Sequence, residues 1–166
     1  MNNFLVKLLV KIRVRALRPV LRKLEIQAEM LRAVANNELK ARVILKQLQG
    51  QRITVVFVCH APSLWGKIDS LHSRLVSNPR FDVVVVAVPY KHNRVKPGEY
   101  FDGGMCEFLK KNEVEYISGM DKETGAWLNL QNLHPDYVFF QTPYSVFPET
   151  YSAEFVSLFA EVCYIP

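Results

Sequence analysis

Three groups of residues could carry chemistry, and each lies directly at the end of a short apolar run: His60, Ser63 and Trp65; Tyr90, Lys91, His92 and Arg94; and Gln141, Thr142 and Tyr144. An imidazole titrates near neutrality, so His60 could act as a general base or hold a phosphate. The plainer alternative is a histidine satisfied by backbone groups of its own loop. Gln141 and Thr142 offer neutral donors and acceptors suited to hydroxyls or phosphate oxygens. Trp65 and Tyr144 could stack on a sugar, or simply cover the core. Lys91, His92, Arg94 and Lys96 could draw in an anionic polyol phosphate or a lipid headgroup, unless they only solvate a loop that ends at Pro97-Gly98. Asp69 and Asp136 have no neighbouring carboxylate, so no acid/base pair is assigned.

The elements that must position these groups alternate along the chain. Ile53 to Val58 (ITVVFV) and Phe81 to Val88 are β-branched runs of the kind that form strands buried on both faces. Between them, Leu64 to Val76 has helical spacing through Leu64, Ile68, Leu71 and Leu75 and stops at Asn78-Pro79, which implies a right-handed parallel βαβ unit. Tyr100 to Lys111 is expected to be helical, Val114 to Ile117 a strand, Gly125 to Leu133 a loop or single turn, Asp136 to Gln141 a strand, Ser152 to Phe159 a helix and Glu161 to Ile165 a last strand. Five strands alternating with helices predict an α/β fold, a Rossmann-like doubly wound, mostly parallel five-stranded sheet. Ligands of such sheets sit at the carboxyl ends of the strands, where all three groups fall.

Several chemistries lack their residues. His60 to Gly66 reads HAPSLWG where a dinucleotide site would carry GxGxxG, and no GxxxxGK[ST], HExxH, GxSxG or EF-hand loop occurs. Cys59, Cys106 and Cys163 are odd in number and lack CxxC spacing, so neither a disulfide framework nor a zinc site is indicated. The reading calls for no metal and no cofactor, assigns His60 as the one catalytic candidate, and takes a reducing, cytosolic setting as the default. With 49% hydrophobic and 22% charged residues, the chain has the composition of a folded domain.

The net charge of +5 divides unevenly. Residues 1–51 carry eleven Lys and Arg against three Glu, a net of +8, and residues 52–166 carry ten against thirteen acids, a net of −3. The chain therefore reads as a basic helical arm, 1–51, and a Rossmann-like body, 52–166, of which nucleic-acid binding is not expected. Leu5, Leu8, Leu9, Ile12, Ala16, Val20 and Leu24 mark one apolar helical face, while Lys7, Lys11, Arg15, Arg18 and Arg22 stack on another. Charges this frequent exclude a spanning helix, and no secretory signal is present. Such a helix can lie on an anionic membrane surface, pack on this protein or a partner helix, or serve as an RNA- or protein-binding arm. Pro19 is expected to kink the segment or restart it near Arg18, giving two helices. The second, through Leu21, Leu24, Ala28, Leu31, Ala35, Leu39, Val43 and Leu48 to Gly50, could be a stalk or coiled-coil arm; its heptads are too few and too broken to assign an oligomeric state.

The stretches ITVVFVCHAPSLWGKIDSLHSRLVSNPRFDVVVVAVP (53–89), YFDGGMCEFLKKNEVEY (100–116), GAWLNLQNLHPDYVFFQTPYS (125–145) and CYIP (163–166) together resemble the N-terminal half of the CDP-glycerol glycerophosphotransferase-like family of teichoic-acid and surface-polysaccharide enzymes. The strand leaving through Gln-Thr-Pro-Tyr is the most specific part. The resemblance implies a GT-B enzyme of two facing Rossmann-like domains, of which this chain is the acceptor-side one. It places the donor nucleotide and the catalytic histidines, including an HGT-type motif absent here, in a C-terminal partner domain. The ending on an apolar strand is what a piece of a longer protein would show. The implied acceptor is lipid-linked or a polyol phosphate, and the implied location is the cytoplasmic face of the cell membrane, bound peripherally. The other readings are a non-catalytic, membrane-recruited interaction module and half of a nucleotide-sugar glycosyltransferase.

Overall fold

A computed structural model describes residues 3–96, 98–144 and 146–165, with side chains from residue 17 onward. Strands β1 (Ile53–Cys59), β2 (Phe81–Ala87), β3 (Ile117–Ser118), β4 (Tyr137–Phe140) and β5 (Glu161–Tyr164) form one sheet in the order β3-β2-β1-β4-β5, with every neighbouring pair parallel. This is the doubly wound α/β sheet expected from the alternation. The chain builds outward from β1 in one direction as far as β3, then crosses back to add β4 and β5 on its other side.

The side-chain period of a strand explains why β1 is central. Ile53, Val55, Phe57 and Cys59 enter one core with Trp65, Ile68, Val85, Met105 and Leu109, while Val56 and Val58 enter a second core with Val86, Leu130, Val138, Phe140 and Val156. Both faces are apolar, so each fully buried Val or Phe contributes about 1.5–3 kcal/mol. Helices α2 (Asp69–Val76) and α3 (Met105–Lys111) cover the first core, and α4 (Ala153–Val156) the second.

Three helix boundaries differ from expectation. The segment before α2 is a 3₁₀ turn, Pro62–Lys67, with proline in its first turn. α3 begins at Met105 and not at Tyr100, because Phe101 pairs with Tyr90 in an antiparallel bridge and Gly104 takes a left-handed conformation (φ 74°) just before the helix. α4 is a single turn, capped by Ser152 Oγ accepting from Phe155 N at 3.1 Å, and the chain from Ser157 turns directly into β5.

The chain divides into two compact units, Met1–Asn37 and Glu38–Pro166, and helix α1 (Asn3–Leu48) contributes to both. Within the first unit α1 runs on through Pro19, so the expected restart near Arg18 is not found. Proline there removes one backbone donor and leaves the carbonyl of residue 15 without its usual partner, yet the helix continues. In the second unit the last turns of α1 belong to the body: Leu39 and Val43 are buried, and Gly50 (φ 67°) closes the helix with Gln51 N donating to Lys46 O at 2.8 Å.

An ion-pair cluster fastens those turns. Asp136, just ahead of β4, is fully buried; its Oδ2 accepts from Lys46 Nζ at 2.6 Å and from Thr54 N at 2.9 Å, and its Oδ1 lies 3.2 Å from Arg42 Nε. Arg42 also donates to the carbonyls of Pro135 (2.7 Å) and Phe159 (3.1 Å). The sequence shows Asp136 without a partner because its partners are cations, not a second carboxylate, and lie on α1.

Candidate functional site

The strand order reverses at β1, so the crevice of this sheet opens between the carboxyl ends of β1 and β4. His60 follows β1 directly, and Gln141 and Thr142 follow β4, all three buried. Gln141 Oε1 accepts from His60 N at 2.8 Å and from Ala61 N at 3.1 Å, tying the two loops together. Two donors on one atom settle which end of the amide is oxygen, and leave Gln141 Nε2 buried with no hydrogen-bond partner among the described residues. His60 Nδ1 is in the same position.

Aromatic rings hold the imidazole. Tyr90 and Phe147 meet His60 edge-on, with centroids at 4.8 Å and 5.4 Å. Burial pushes the His60 pKa down to about 4, so at neutral pH the ring is uncharged and presents one donor and one acceptor. Gly103 permits this packing: a Cβ there would stand 2.7 Å from His60 O and 2.9 Å from the Tyr90 ring. Tyr90 was among the sequence candidates, but Phe147 and Gly103 were not readable as site residues, although the Gly103-Gly104 pair was a visible signal of close backbone approach.

The other candidates are dispersed. Ser63 is exposed on the 3₁₀ turn. Trp65 is a core residue, packed against His72 and Phe108 with its indole N–H donating to Asp69 at 3.1 Å, and it does not line the crevice. Thr142 Oγ1 accepts from Tyr144 N at 3.3 Å. Exposed Tyr144, with Thr142, Phe147, Tyr151 and Glu154, borders a cavity of about 110 Å³ beside the crevice. Lys91 and Arg94 are exposed on the loop after β2, with the Arg94 guanidinium 5.8 Å above the Phe101 ring. A second cavity, of about 160 Å³, lies over the ends of β2 and β3, where Lys122 donates to Asp102 at 2.8 Å. Arg18 and Arg22 are exposed on α1; the side chains of Lys7, Lys11 and Arg15 lie outside the described residues.

Burial pushes the Cys59 thiol far up, so it stays protonated and inert. Among the described residues no three His, Cys, Asp or Glu side chains gather as a metal site, and no helix is long and apolar enough to cross a membrane. No protein-family model matches the chain, and no curated protein matches it.

Proposed function

We propose that the body is the acceptor-side domain of a CDP-glycerol or related polyol-phosphate transferase, working peripherally at the cytoplasmic face of the membrane in cell-surface polymer synthesis. The observation that carries this reading is the pair of buried, unpartnered polar atoms, His60 Nδ1 and Gln141 Nε2, at the reversal point of the sheet. An orphaned buried polar group costs about 1–3 kcal/mol, a cost that a bound hydroxyl or phosphate oxygen would relieve. The crevice is neutral where it is deepest, which suits a hydroxyl acceptor, and cationic at Lys91 and Arg94 on the neighbouring loop, which suits its phosphate.

In the reaction an acceptor hydroxyl oxygen bonds to the β-phosphorus of CDP-glycerol. The bond from that phosphorus to the bridging oxygen breaks, CMP leaves with the electron pair, and the hydroxyl proton passes to a catalytic histidine of the facing domain that the resemblance implies. The work of this domain is placement, holding the acceptor oxygen still while the facing domain supplies donor and leaving-group contacts. A pKa near 4 makes His60 a poor base, so its part is to orient the hydroxyl through a hydrogen bond.

The test is binding. Titrating glycerol phosphate and a short poly(glycerol phosphate) into the chain should shift the His60 ring resonances, and Gln141→Glu should abolish the shift. If those resonances stay put while nucleotides or nucleotide sugars move them, the reading fails in favour of a donor-binding half. No response to any of these compounds would favour an interaction module. For the membrane part, co-sedimentation with anionic vesicles should weaken as salt is added; equal binding to neutral vesicles would contradict it.

A further inference from the structure

The cavity of about 160 Å³ over the carboxyl ends of β2 and β3 has no part in the acceptor reading. Its floor is apolar: Ala87, Val88 and Pro89 at and just past the end of β2, Met105 opening α3, and Met120 after β3. An apolar cavity of about 150 Å³ takes a benzene ring. Met105, Met120 and Cys106 bring sulfur to the lining, the polarisable neighbour that an aromatic ring favours, and Tyr100 closes one side, held edge-on against Trp127 at 4.9 Å. A single segment separates this cavity from His60. Tyr100 and Asp102 line the cavity, while Phe101 between them exchanges two backbone hydrogen bonds with Tyr90, at 2.7 Å and 3.1 Å, and Gly103 packs against the His60 carbonyl.

Asp102 and Lys122 are the two charged residues of the lining, and they come from different loops, one ahead of α3 and one after β3. Lys122 Nζ donates to Asp102 Oδ2 at 2.8 Å; the lysine side chain is 71% and the aspartate 54% exposed, so the pair forms a rim open to water above an apolar floor. Asp102 Oδ1 accepts from Gly104 N at 3.1 Å, which fixes the carboxylate there. The hydrogen bond between the two holds the carboxyl below and the ammonium above their ordinary ranges, so both are charged at neutral pH. An exposed pair contributes little to the fold, and opening it for a ligand costs little. Such a rim discriminates by sign: an anion gains from Lys122 and is repelled by Asp102, a cation meets the reverse, and a zwitterion gains at both ends. The zwitterion must carry its charges as close together as the rim does, with an apolar group beside them. An α-amino acid bears all three on one carbon. We infer that the cavity binds a free α-amino acid with an apolar side chain of benzene size, its ammonium at Asp102, its carboxylate at Lys122 and its side chain between Met105 and Met120.

The whole chain, labelled at its methionine methyl groups, carries the test. L-Phenylalanine should shift the Met105 and Met120 resonances saturably and leave that of Met30, on α1, in place. L-Phenylalaninamide, which is only a cation and mimics a peptide N-terminus, and N-acetyl-L-phenylalanine, which is only an anion, should each bind roughly tenfold more weakly. Asp102→Asn keeps an acceptor for Gly104 N but removes the charge; it should weaken phenylalanine roughly tenfold and leave the N-acetyl compound its equal. Lys122→Gln should do the converse, raising the amide to the level of the amino acid. Both side chains are more than half exposed, so neither change removes a buried contact, and the comparison of the three compounds on the parent chain needs no variant. The inference is overturned if phenylalanine gives no saturable shift up to its solubility limit, if the three compounds bind alike, as they would in a merely apolar hollow, or if a singly charged one binds tightest. Variants that weaken all three equally would overturn it as well. Failure of acceptor binding at His60 and Gln141 would leave it standing.

Discussion

Lys46 and Asp136, ninety residues apart, meet at 2.6 Å, and the carboxylate of the pair is completely shielded from water. Removing one partner of a buried pair typically costs about 3–5 kcal/mol. The Lys46 and Arg42 side chains keep 23% and 40% exposure, so once orphaned they can turn to solvent, and Asp136→Asn should cost about 3 kcal/mol, the lower end. Urea unfolding measures it. A loss below ~1 kcal/mol would mean that Leu39, Val43 and the Arg42 bonds to the Pro135 and Phe159 carbonyls hold the last turns of α1 without the ion pairs.

Gln141 ties two loops together through one side-chain oxygen. Gln141→Leu deprives two buried backbone donors of their acceptor and should cost about 2–4 kcal/mol. Gln141→Glu keeps an oxygen for both donors but buries a carboxyl in a position only 3% exposed, so relative to the parent its loss of stability should grow as pH rises and the carboxyl ionises, whereas that of Gln141→Leu should not. Equal losses at every pH would show that the site is open enough to hydrate the charge.

The folded-state pKa of His60, about 4, lies below its ordinary value of 6.5. Above pH 6.5 both folded and unfolded states are neutral there; from 6.5 down to 4 only the unfolded state takes the proton, so stability falls with pH through that window. The contribution lost is about 3 kcal/mol, and His72, also lowered by burial, acts in the same direction. Stability measured at pH 7.5 and at pH 4.5 should differ less in His60→Phe than in the parent, and an identical difference would refute the burial argument.

Gly103→Ala places a methyl against the His60 carbonyl and the Tyr90 ring, and only the ring can yield. Overpacking of this kind costs about 1–3 kcal/mol, and His60 resonances should shift as well. A variant as stable as the parent with unmoved resonances would mean that the loop after β2 relaxes freely.

Four of the five strands were legible, since runs such as ITVVFV and VVVVAV are β-branched and of strand length; the expected Val114–Ile117 strand is found only at Ile117–Ser118, because Glu113 takes a left-handed turn (φ 56°) and Val114 N still donates to Leu109 O at the end of α3. Helix starts were not, because Gly104 and the Tyr90–Phe101 bridge act through backbone geometry and pairing rather than through periodicity. Pro19 misled for a different reason: the proline penalty is a cost and not a veto, and α1 runs through it. At the crevice, His60, Gln141 and Thr142 could be selected because strand ends are identifiable. Their rings and ties could not, because Phe147 and Tyr90 meet His60 only once the sheet is assembled. Trp65 shares the loop with His60 yet points into the core, a distinction that no one-dimensional pattern contains.

β4 is four residues long, with Asp136 immediately before it and Gln141 immediately after it. Anchor and crevice thus stand at opposite poles of one short rod, roughly 17 Å apart at strand rise. A displacement of the anchor at one pole therefore has a direct mechanical route, through a single strand, to the loop that carries Gln141 at the other.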